Sequence, residues 1–195
     1  MKVLVILLTY GNRPKDILYD NILNAGYPAE YIEVSVEGIA NALNTGIDLM
    51  TDHDAIAFLA NDIAEPVDWL KKKTEAIQSY PDAALVASSL DFVRTEIANE
   101  MIISNWLIPK STIEKIGYFN ESMFPYGPID LDYCERCYVA GLKTYYVKNC
   151  LAIHKGAEQD YGWNKAELVS KYDEQYNSDV ASYRNGTKNY YNGKK

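Results

Sequence analysis

Two carboxylates lie close together in the second half of the chain. Asp130 and Asp132 stand two residues apart in the segment PYGPIDLDYCERCYVAG, directly after a turn rich in proline and glycine. The pattern predicts a helix start, where acidic side chains cap N–H groups and face the positive end of the helix dipole. A carboxylate near a second acid or a metal ion can instead act as a general base. Capping does not require two acids, so both interpretations stay open.

A second candidate site follows an apolar run. The segment AIAFLAND carries Asn61 and Asp62 to the end of a predicted buried strand, and Pro66 follows. An acid in this position can hold a divalent cation through oxygen, or it can cap the next helix. His154 ends another apolar strand, CLAIH, where a histidine can ligate a metal, although a lone histidine is more often a polar surface residue. The sequence therefore offers Asp62 and His154 as candidate metal ligands.

The three cysteines favour packing over chemistry. Cys134 and Cys137 have the spacing of half a zinc site, but no second ligand pair is present. On a helix this spacing places both thiols on one face, which predicts burial in the core. With Cys150 the count is odd and no secretion signal accompanies it, which argues against a disulfide framework.

Strand and helix patterns alternate along the first half of the chain. Apolar runs such as KVLVILLTY and DAIAFLAND are typical of strands buried on both faces, and the segments between them have helical spacing. This order predicts an α/β fold with a largely parallel central sheet and helices on both faces. Ligands bind such sheets at the carboxyl ends of the strands. The candidate binding segments are therefore Thr9–Arg13, Glu37–Gly38 and Ala60–Asp62.

Composition excludes some classes of function. The chain has 195 residues, of which 48% are hydrophobic and 24% charged, as in a globular protein. The net charge of -8 and the pI of about 4.8 disfavour nucleic acid as a partner. The aliphatic run from Val3 to Leu8 is too short to span a bilayer, and no small-residue cleavage site follows it. We therefore predict a cytoplasmic protein.

Taken in order, these segments resemble the A-type (GT-A) fold of nucleotide-sugar glycosyltransferases, family 2 in particular. VLVILLTYGNRP resembles the first strand and nucleotide-binding loop, and GIANALNTGI the Gly-x-x-x-Ala-x-Asn-x-Gly helix. IAFLANDIAEPVDWL resembles the strand that carries the Asp-x-Asp metal motif. The most specific match is WLIPKSTIEKIGYFNESMFPYGPIDLDYCERCYVAGLKTYYVKNCLAIHKG. The resemblance covers residues 1–156.

The resemblance implies roles for individual residues. Asp130 matches the base of inverting members, and Asp62 matches the last acid of Asp-x-Asp, which holds Mn²⁺ or Mg²⁺. His154 matches a histidine that ligates the metal or meets the diphosphate in some members. Three residues are expected to shape the site or contact the acceptor: Asp132, Arg136 and Trp106. Six are expected to bind the donor: Thr9, Asn12, Arg13, Glu37, Asn44 and Asn61. Asp132 and Arg136 either form an ion pair that holds the helix start or contact the acceptor.

Several positions depart from the family pattern. Ala60 stands where the first acid of Asp-x-Asp is expected, Ile129 where a Glu precedes the base, and Asn120 where the family has Asp. The segment after YIEVSVEG is short and lacks the acid-plus-Gly-Ser stretch that reads the nucleobase, for which Glu37 is a substitute. No Gln-x-x-Arg-Trp segment occurs, which disfavours polymer-synthesising members.

These observations lead to one main hypothesis and two alternatives. The main hypothesis is a metal-dependent, inverting glycosyltransferase that moves one sugar from a nucleotide-diphosphate donor to an unidentified acceptor hydroxyl. The first alternative is a degenerate, non-catalytic module that binds nucleotide sugar or glycan. The second, a nucleotidyltransferase, needs a glycine-rich basic loop that TYGNRP does not supply. We predict a catalytic core over 1–156 and a lid, helix and frayed tail over 157–195, with Trp163 stacking on a ligand or packing on the core.

Overall fold

The computed structural model describes residues 1–9, 15–90, 105–123 and 129–155, together with 174–175, 177–178 and 181. Within these ranges the predicted alternation of strands and helices is confirmed. The strands are β1 (Val3–Leu8), β2 (Glu30–Val34), β3 (Ala55–Ala60), β4 (Ile63–Ala64), β5 (Ala83–Leu90), β6 (Leu107–Pro109) and β7 (Lys143–His154). The helices are α1 (Asp16–Leu23), α2 (Ile39–Asp48), α3 (Trp69–Ser79), α4 (Lys110–Ile116) and α5 (Ile129–Val139).

The strands form one sheet in the order β2-β1-β3-β6-β5-β7-β4. β1 pairs in parallel with β2 and with β3, and β5 pairs in parallel with β7. β6 lies antiparallel between β3 and β5, so those two strands share a direction. β4 lies antiparallel to the end of β7. All the strands except β6 and β4 therefore point the same way, which confirms the predicted, largely parallel sheet.

Helices cover both faces of this sheet, because side chains alternate between the two faces of every strand. In β1, Leu4 and Ile6 pack in one apolar cluster with buried residues of α2, α4 and α5. Val3, Val5 and Leu7 pack in a second cluster with residues of α1 and α3. The apolar run that predicted a strand covered on both faces thus contributes residues to both apolar clusters.

The carboxyl edge of the sheet gathers polar residues from separate segments. Thr9 follows β1, Asn61 and Asp62 follow β3, and His154 ends β7. β6 runs in the opposite direction, so the residue before it, Trp106, also lies at this edge, and its carbonyl accepts the Phe58 N–H at 2.9 Å. The residues singled out from the sequence therefore lie at the same edge of the sheet.

The direction of α5 places Asp130 toward the same edge. The Lys143 N–H at the start of β7 donates to the Asp82 carbonyl, which precedes β5, at 2.8 Å. β7 therefore begins at the amino edge of the sheet. α5 packs against β7 and joins it through a short turn, so the first turn of α5 points toward the carboxyl edge.

Gly46 lets α2 approach the sheet closely. A Cβ atom at this position would lie 2.8 Å from Ile6 Cγ1 and 3.1 Å from Phe58 Cε1. Both contacts are with buried side chains of the first cluster, which have little room to move. The absence of a side chain at Gly46 is thus a packing requirement, and it outweighs the low helix propensity of glycine.

We expect Gly46→Ala to lower the free energy of unfolding by about 1–2 kcal/mol, because overpacking exceeds the gain in helix propensity. Urea denaturation followed by circular dichroism measures the change. Asn41→Ala, at an exposed position of the same helix, is the control and should stay within about 0.5 kcal/mol of the wild type. A Gly46→Ala protein more stable than the wild type would contradict the close approach.

The predicted lid and tail fall mostly outside the described residues. Trp163 and the boundary near Gly156 are among the positions that the structure does not describe, so the division at 156 stays a prediction. Residues 174–175, 177–178 and 181 are helical, in keeping with the predicted helix. In the described part of the chain, no helix has the length and apolar character needed to cross a membrane. The cytoplasmic location stays a prediction.

Candidate active site

The fold brings the two candidate metal ligands together. β4 pairs with the end of β7 so that Ile63 lies opposite His154. Asp62 Oδ2 is 3.7 Å from His154 Nε2. The Asp62 carbonyl also accepts the Lys155 N–H at 2.6 Å, which ties the turn after β3 to the end of β7. The sequence placed these residues at two strand ends, and the structure makes them neighbours.

Asp62 does not cap the following helix. α3 begins only at Trp69, and the residue before it is Asp68, whose φ of 61° is in the left-handed region. Pro66 lies in the connection before the helix and not in its first turn. The capping interpretation of Asp62 is therefore wrong, and its carboxylate lies in the turn beside His154.

The donor atoms of this pair fit a divalent cation. A carboxylate oxygen suits Mg²⁺ and Mn²⁺, and an imidazole nitrogen is a ligand for many divalent transition metals. The side chains are 17% exposed for Asp62 and 40% exposed for His154, so an ion can reach both. Among the described residues no group of three His, Cys, Asp or Glu side chains could hold an ion. Two protein ligands leave positions for phosphate oxygens and water, as is usual for Mg²⁺ bound with a phosphorylated substrate.

The two acids of α5 have different surroundings. Asp130 is half-buried, and its Oδ1 accepts the Leu131 N–H at 2.9 Å. Asp132 is buried, and its Oδ2 accepts from Arg136 Nε at 2.9 Å. Both lie in the first turn of the helix, so the favourable interaction with the dipole applies to both. Only Asp130 combines this position with partial exposure.

Arg136 holds the junction between α4 and α5. Besides Asp132, its guanidinium donates to the Ile116 carbonyl at 3.0 Å and to the Tyr118 carbonyl at 2.9 Å. These carbonyls lie at and beyond the C-terminal end of α4, where intrahelical partners run out. The guanidinium carbon is also 4.9 Å from the centre of the Tyr133 ring. Of the two interpretations left open for Asp132 and Arg136, the geometry supports the ion pair.

Trp106 lies in an aromatic cluster beneath α5. Its ring is 6.0 Å from that of Phe119 and 6.1 Å from that of Tyr133, and the Phe119 and Tyr133 rings stack at 4.3 Å. Trp106 is buried. It packs against Tyr133 of α5, and its predicted roles in shaping the site or contacting the acceptor stay predictions.

Asn44 holds the segment between α4 and α5. Its Oδ1 accepts the Phe119 N–H at 2.8 Å, and its Nδ2 donates to the Phe119 carbonyl at 3.0 Å and to Glu121 Oε1 at 2.7 Å. The side chain is buried, and all of these hydrogen bonds join its amide to the segment between α4 and α5. Its predicted role in donor binding is not supported by any described contact and stays a prediction.

An acid that the sequence interpretation did not single out, Glu33, lies beside Thr9 at the carboxyl edge. Glu33 Oε1 accepts from Thr9 Oγ1 at 2.8 Å and from Lys15 Nζ at 2.6 Å. These bonds, first with Lys15 and then with Thr9, lower the pKa of Glu33, and the bond with Glu33 raises the pKa of Lys15. The position of Glu33 near the C-terminal end of the strand pattern EYIEV could have indicated a residue at the carboxyl edge of the sheet.

Four other residues are predicted to bind the donor. Glu37 is exposed at the start of α2, and Asn61 is buried beside Asp62. Asn12 and Arg13 lie outside the described residues. Roles in donor binding for these four residues stay predictions.

The thiols of α5 are core residues, as predicted. Cys134 and Cys137 are both buried and free. Burial raises the pKa of Cys137 to about 12, so this thiol stays protonated at neutral pH. Burial and the raised pKa both favour a packing role for this thiol over zinc ligation or nucleophilic chemistry.

Neither a protein-family model nor a curated protein matches the chain. Solved structures do. A mannosyltransferase from Pyrobaculum calidifontis, in complex with GDP-Man and Mn²⁺, superposes with a TM-score of 0.66 at 14% identity, over 92% of this chain and 64% of that one. A197 from STIV superposes with a TM-score of 0.58 at 18% identity, over 83% of this chain and 87% of that one. GalNAc-T7 with UDP, GalNAc and Mn²⁺ superposes with a TM-score of 0.61 at 10% identity, over 93% of this chain and 52% of that one.

These identities are low, so the likeness concerns the fold. The chain spans less than two thirds of the length of the mannosyltransferase and about half of GalNAc-T7. The mixed sheet, the helices on both faces and the polar carboxyl edge agree with this architecture. The chain therefore has the GT-A fold, as its sequence motifs predicted.

Proposed function

We propose that the protein is a metal-dependent glycosyltransferase that moves a single sugar from a nucleotide-diphosphate donor to an acceptor hydroxyl, with inversion. The observation that carries this proposal is the pairing of Asp62 with His154 at 3.7 Å. The first turn of α5, with Asp130, is directed toward the same edge. Support also comes from the fold, because the mannosyltransferase and GalNAc-T7 were solved with Mn²⁺ and nucleotide or nucleotide sugar.

Asp62 and His154 hold Mn²⁺ or Mg²⁺ in this proposal. Such an ion supplies positive charge that stabilises the diphosphate as it leaves. The half-exposed imidazole and the carboxylate leave room for the diphosphate oxygens. Thr9, Glu33 and Lys15 form the nucleoside side, and Asn12, Arg13, Glu37 and Asn61 are assigned there by resemblance alone.

Asp130 is the general base. Its carboxylate takes the proton of the acceptor hydroxyl while that oxygen bonds to the anomeric carbon. The bond from the anomeric carbon to the diphosphate oxygen breaks, and the nucleoside diphosphate leaves with the electron pair. The Asp132–Arg136 pair keeps the first turn of α5 in place and does not enter the reaction.

The alternative is a module that binds nucleotide sugar or glycan without turnover. Two positions favour it. Ala60 has no side chain that could bind a metal, and Asn105 Oδ1 accepts its backbone N–H at 2.7 Å. Ile129, where the family has an acid, is buried in the core. Two acids of the family pattern are therefore absent from the site.

A donor panel distinguishes the two functions. Binding of nucleotide sugars is measured by calorimetry, and slow nucleotide release by hydrolysis, each with Mn²⁺ and with chelator. Metal-dependent binding of one donor, with nucleotide release, supports the transferase and identifies the sugar for an acceptor search. Binding without release under any condition supports the binding module. No binding to any donor overturns the transferase and leaves a non-catalytic module that binds glycan.

We expect Asp62→Asn to weaken Mn²⁺-dependent donor binding by about ten- to a hundredfold, since a neutral amide is a poorer ligand for a hard cation. Calorimetry with and without chelator measures the effect. Asp52→Asn removes one carboxylate at an exposed site near the amino edge and is the matched control, with no expected change. Equal binding by Asp62→Asn and the wild type would remove Asp62 from the metal site.

A further inference from the structure

A buried ion pair lies behind the turn that carries Asp62. Lys73 Nζ is 2.8 Å from Glu65 Oε1, and both side chains are 0% exposed. Glu65 Oε2 accepts from Ser88 Oγ at 2.5 Å. Lys73 belongs to the buried face of α3 with Trp69, whose ring centre is 4.8 Å from the ammonium nitrogen. A buried ion pair contributes little net stability compared with apolar residues of similar size, so stability alone does not account for it.

The pair is connected to the turn from both sides. Lys73 also donates to the carbonyl of Asn105, whose side-chain Oδ1 accepts the Ala60 N–H just before the turn. After the turn, Asn21 Nδ2 donates to the Ile63 carbonyl and Asn21 Oδ1 accepts the Glu65 N–H, both at 2.8 Å. The backbone on each side of Asn61 and Asp62 is therefore held by buried polar groups.

Asn105 combines two uncommon features. Its φ is 53°, in the left-handed region. Its Nδ2 is one of the few buried side-chain polar atoms without a hydrogen-bond partner in the described part of the chain. A buried N–H without a partner is destabilising, and left-handed residues other than glycine are found often at functional sites, even though asparagine tolerates this region better than most residues.

We infer that Lys73 is a positioning residue, which fixes the Asn61–Asp62 turn against His154 through Glu65 and Asn105. Lys73 is too deeply buried to touch a ligand, so it acts only through the turn. The expected effect on the metal rests on the proposed function, whereas the expected order of the turn does not.

The double variant Lys73→Met/Glu65→Gln tests this inference. It removes both charges together and keeps an oxygen that accepts from Ser88, so no charge stays buried and unpaired. We expect an unfolding midpoint close to that of the wild type. We also expect the dissociation constant for Mn²⁺ alone, measured by electron paramagnetic resonance, to rise about tenfold. Amide hydrogen exchange in residues 60–65 should become about tenfold faster.

Two further variants separate positioning from stability. Leu70→Ala leaves a cavity under the same helix without touching the polar groups. It should lower the unfolding midpoint and leave Mn²⁺ binding unchanged. Asn105→Gly permits the positive φ, keeps the carbonyl that accepts from Lys73 and removes only the contact with Ala60. It should reproduce the weaker Mn²⁺ binding and the faster exchange, even if the double variant fails to fold.

The outcomes are distinct. Wild-type exchange in residues 60–65 of the folded double variant overturns the positioning role of Lys73. If the double variant does not fold, wild-type exchange in Asn105→Gly overturns it, because the connection from Lys73 to the turn runs through Asn105. Equal loss of Mn²⁺ binding in Leu70→Ala also overturns it, because stability then explains the effect. If the wild-type protein binds no Mn²⁺, the metal part of the proposed function fails, and the exchange measurement alone decides whether Lys73 orders the turn.

Discussion

Asp130→Asn is expected to lower the rate of sugar transfer by about 10²–10⁴-fold while changing donor affinity by less than about twofold. An amide cannot take the proton of the acceptor hydroxyl. Its oxygen can still accept the Leu131 N–H, which Asp130 Oδ1 accepts at 2.9 Å. The start of α5 therefore keeps its structure, and the loss is confined to proton transfer.

Single-turnover kinetics with the donor identified in the panel measure this loss, and calorimetry measures the donor affinity. Glu135→Gln removes a carboxylate farther along α5 and is the control for the change in charge. A transfer rate like that of the wild type would assign the base to another group. A loss of donor affinity equal to the loss of rate would instead make Asp130 part of the donor site.

Arg136→Met is expected to lower the free energy of unfolding by about 3–5 kcal/mol, because it leaves Asp132 as a buried charge without its cationic partner. The ion pair is 2.8 Å long between Arg136 Nη2 and Asp132 Oδ2, and both side chains are less than a tenth exposed. The substitution also removes the donors to the carbonyls of Ile116 and Tyr118. The single variant contains no second substitution that offsets these losses.

Urea denaturation of Arg136→Met and of Asp132→Asn/Arg136→Met measures the two parts of this effect. The double variant removes the buried charge, so it should recover a substantial part of the lost stability. The remainder reports the other contacts of the guanidinium, which include the two carbonyls and the Tyr133 ring. A loss below about 1 kcal/mol in the single variant would contradict the view that this pair holds the α4–α5 junction.

The architecture could be predicted from the sequence because apolar residues recur at different intervals in strands and in helices. The unbroken run at β1 predicted a strand covered on both faces, and the structure assigns its alternate residues to two clusters. The order of elements predicted a largely parallel sheet with its polar residues at one edge. Motif spacing added the GT-A fold, which the solved structures confirm.

Helix boundaries were less predictable. EPVDWL begins with residues suited to a first turn, yet α3 starts at Trp69, after a left-handed Asp68. The Asp68 N–H donates to the Asn24 carbonyl at 2.7 Å, and the N–H groups of Leu70 and Lys71 both donate to the Ala25 carbonyl. The end of α1 thus supplies the partners at the start of α3. These partners come from a distant segment, which local sequence cannot indicate.

By itself, then, the sequence determined the fold class, the polar edge and the residue types available there. The tertiary structure decided which of them meet: Asp62 with His154, Asp132 with Arg136, and Lys73 with Glu65. The spacing of Trp69 and Lys73 places both on one helix face, but it does not show that Glu65 lies within ion-pair distance of Lys73. Periodicity records the direction in which a side chain points, whereas its partner depends on how distant segments pack, and that is a property of the whole chain.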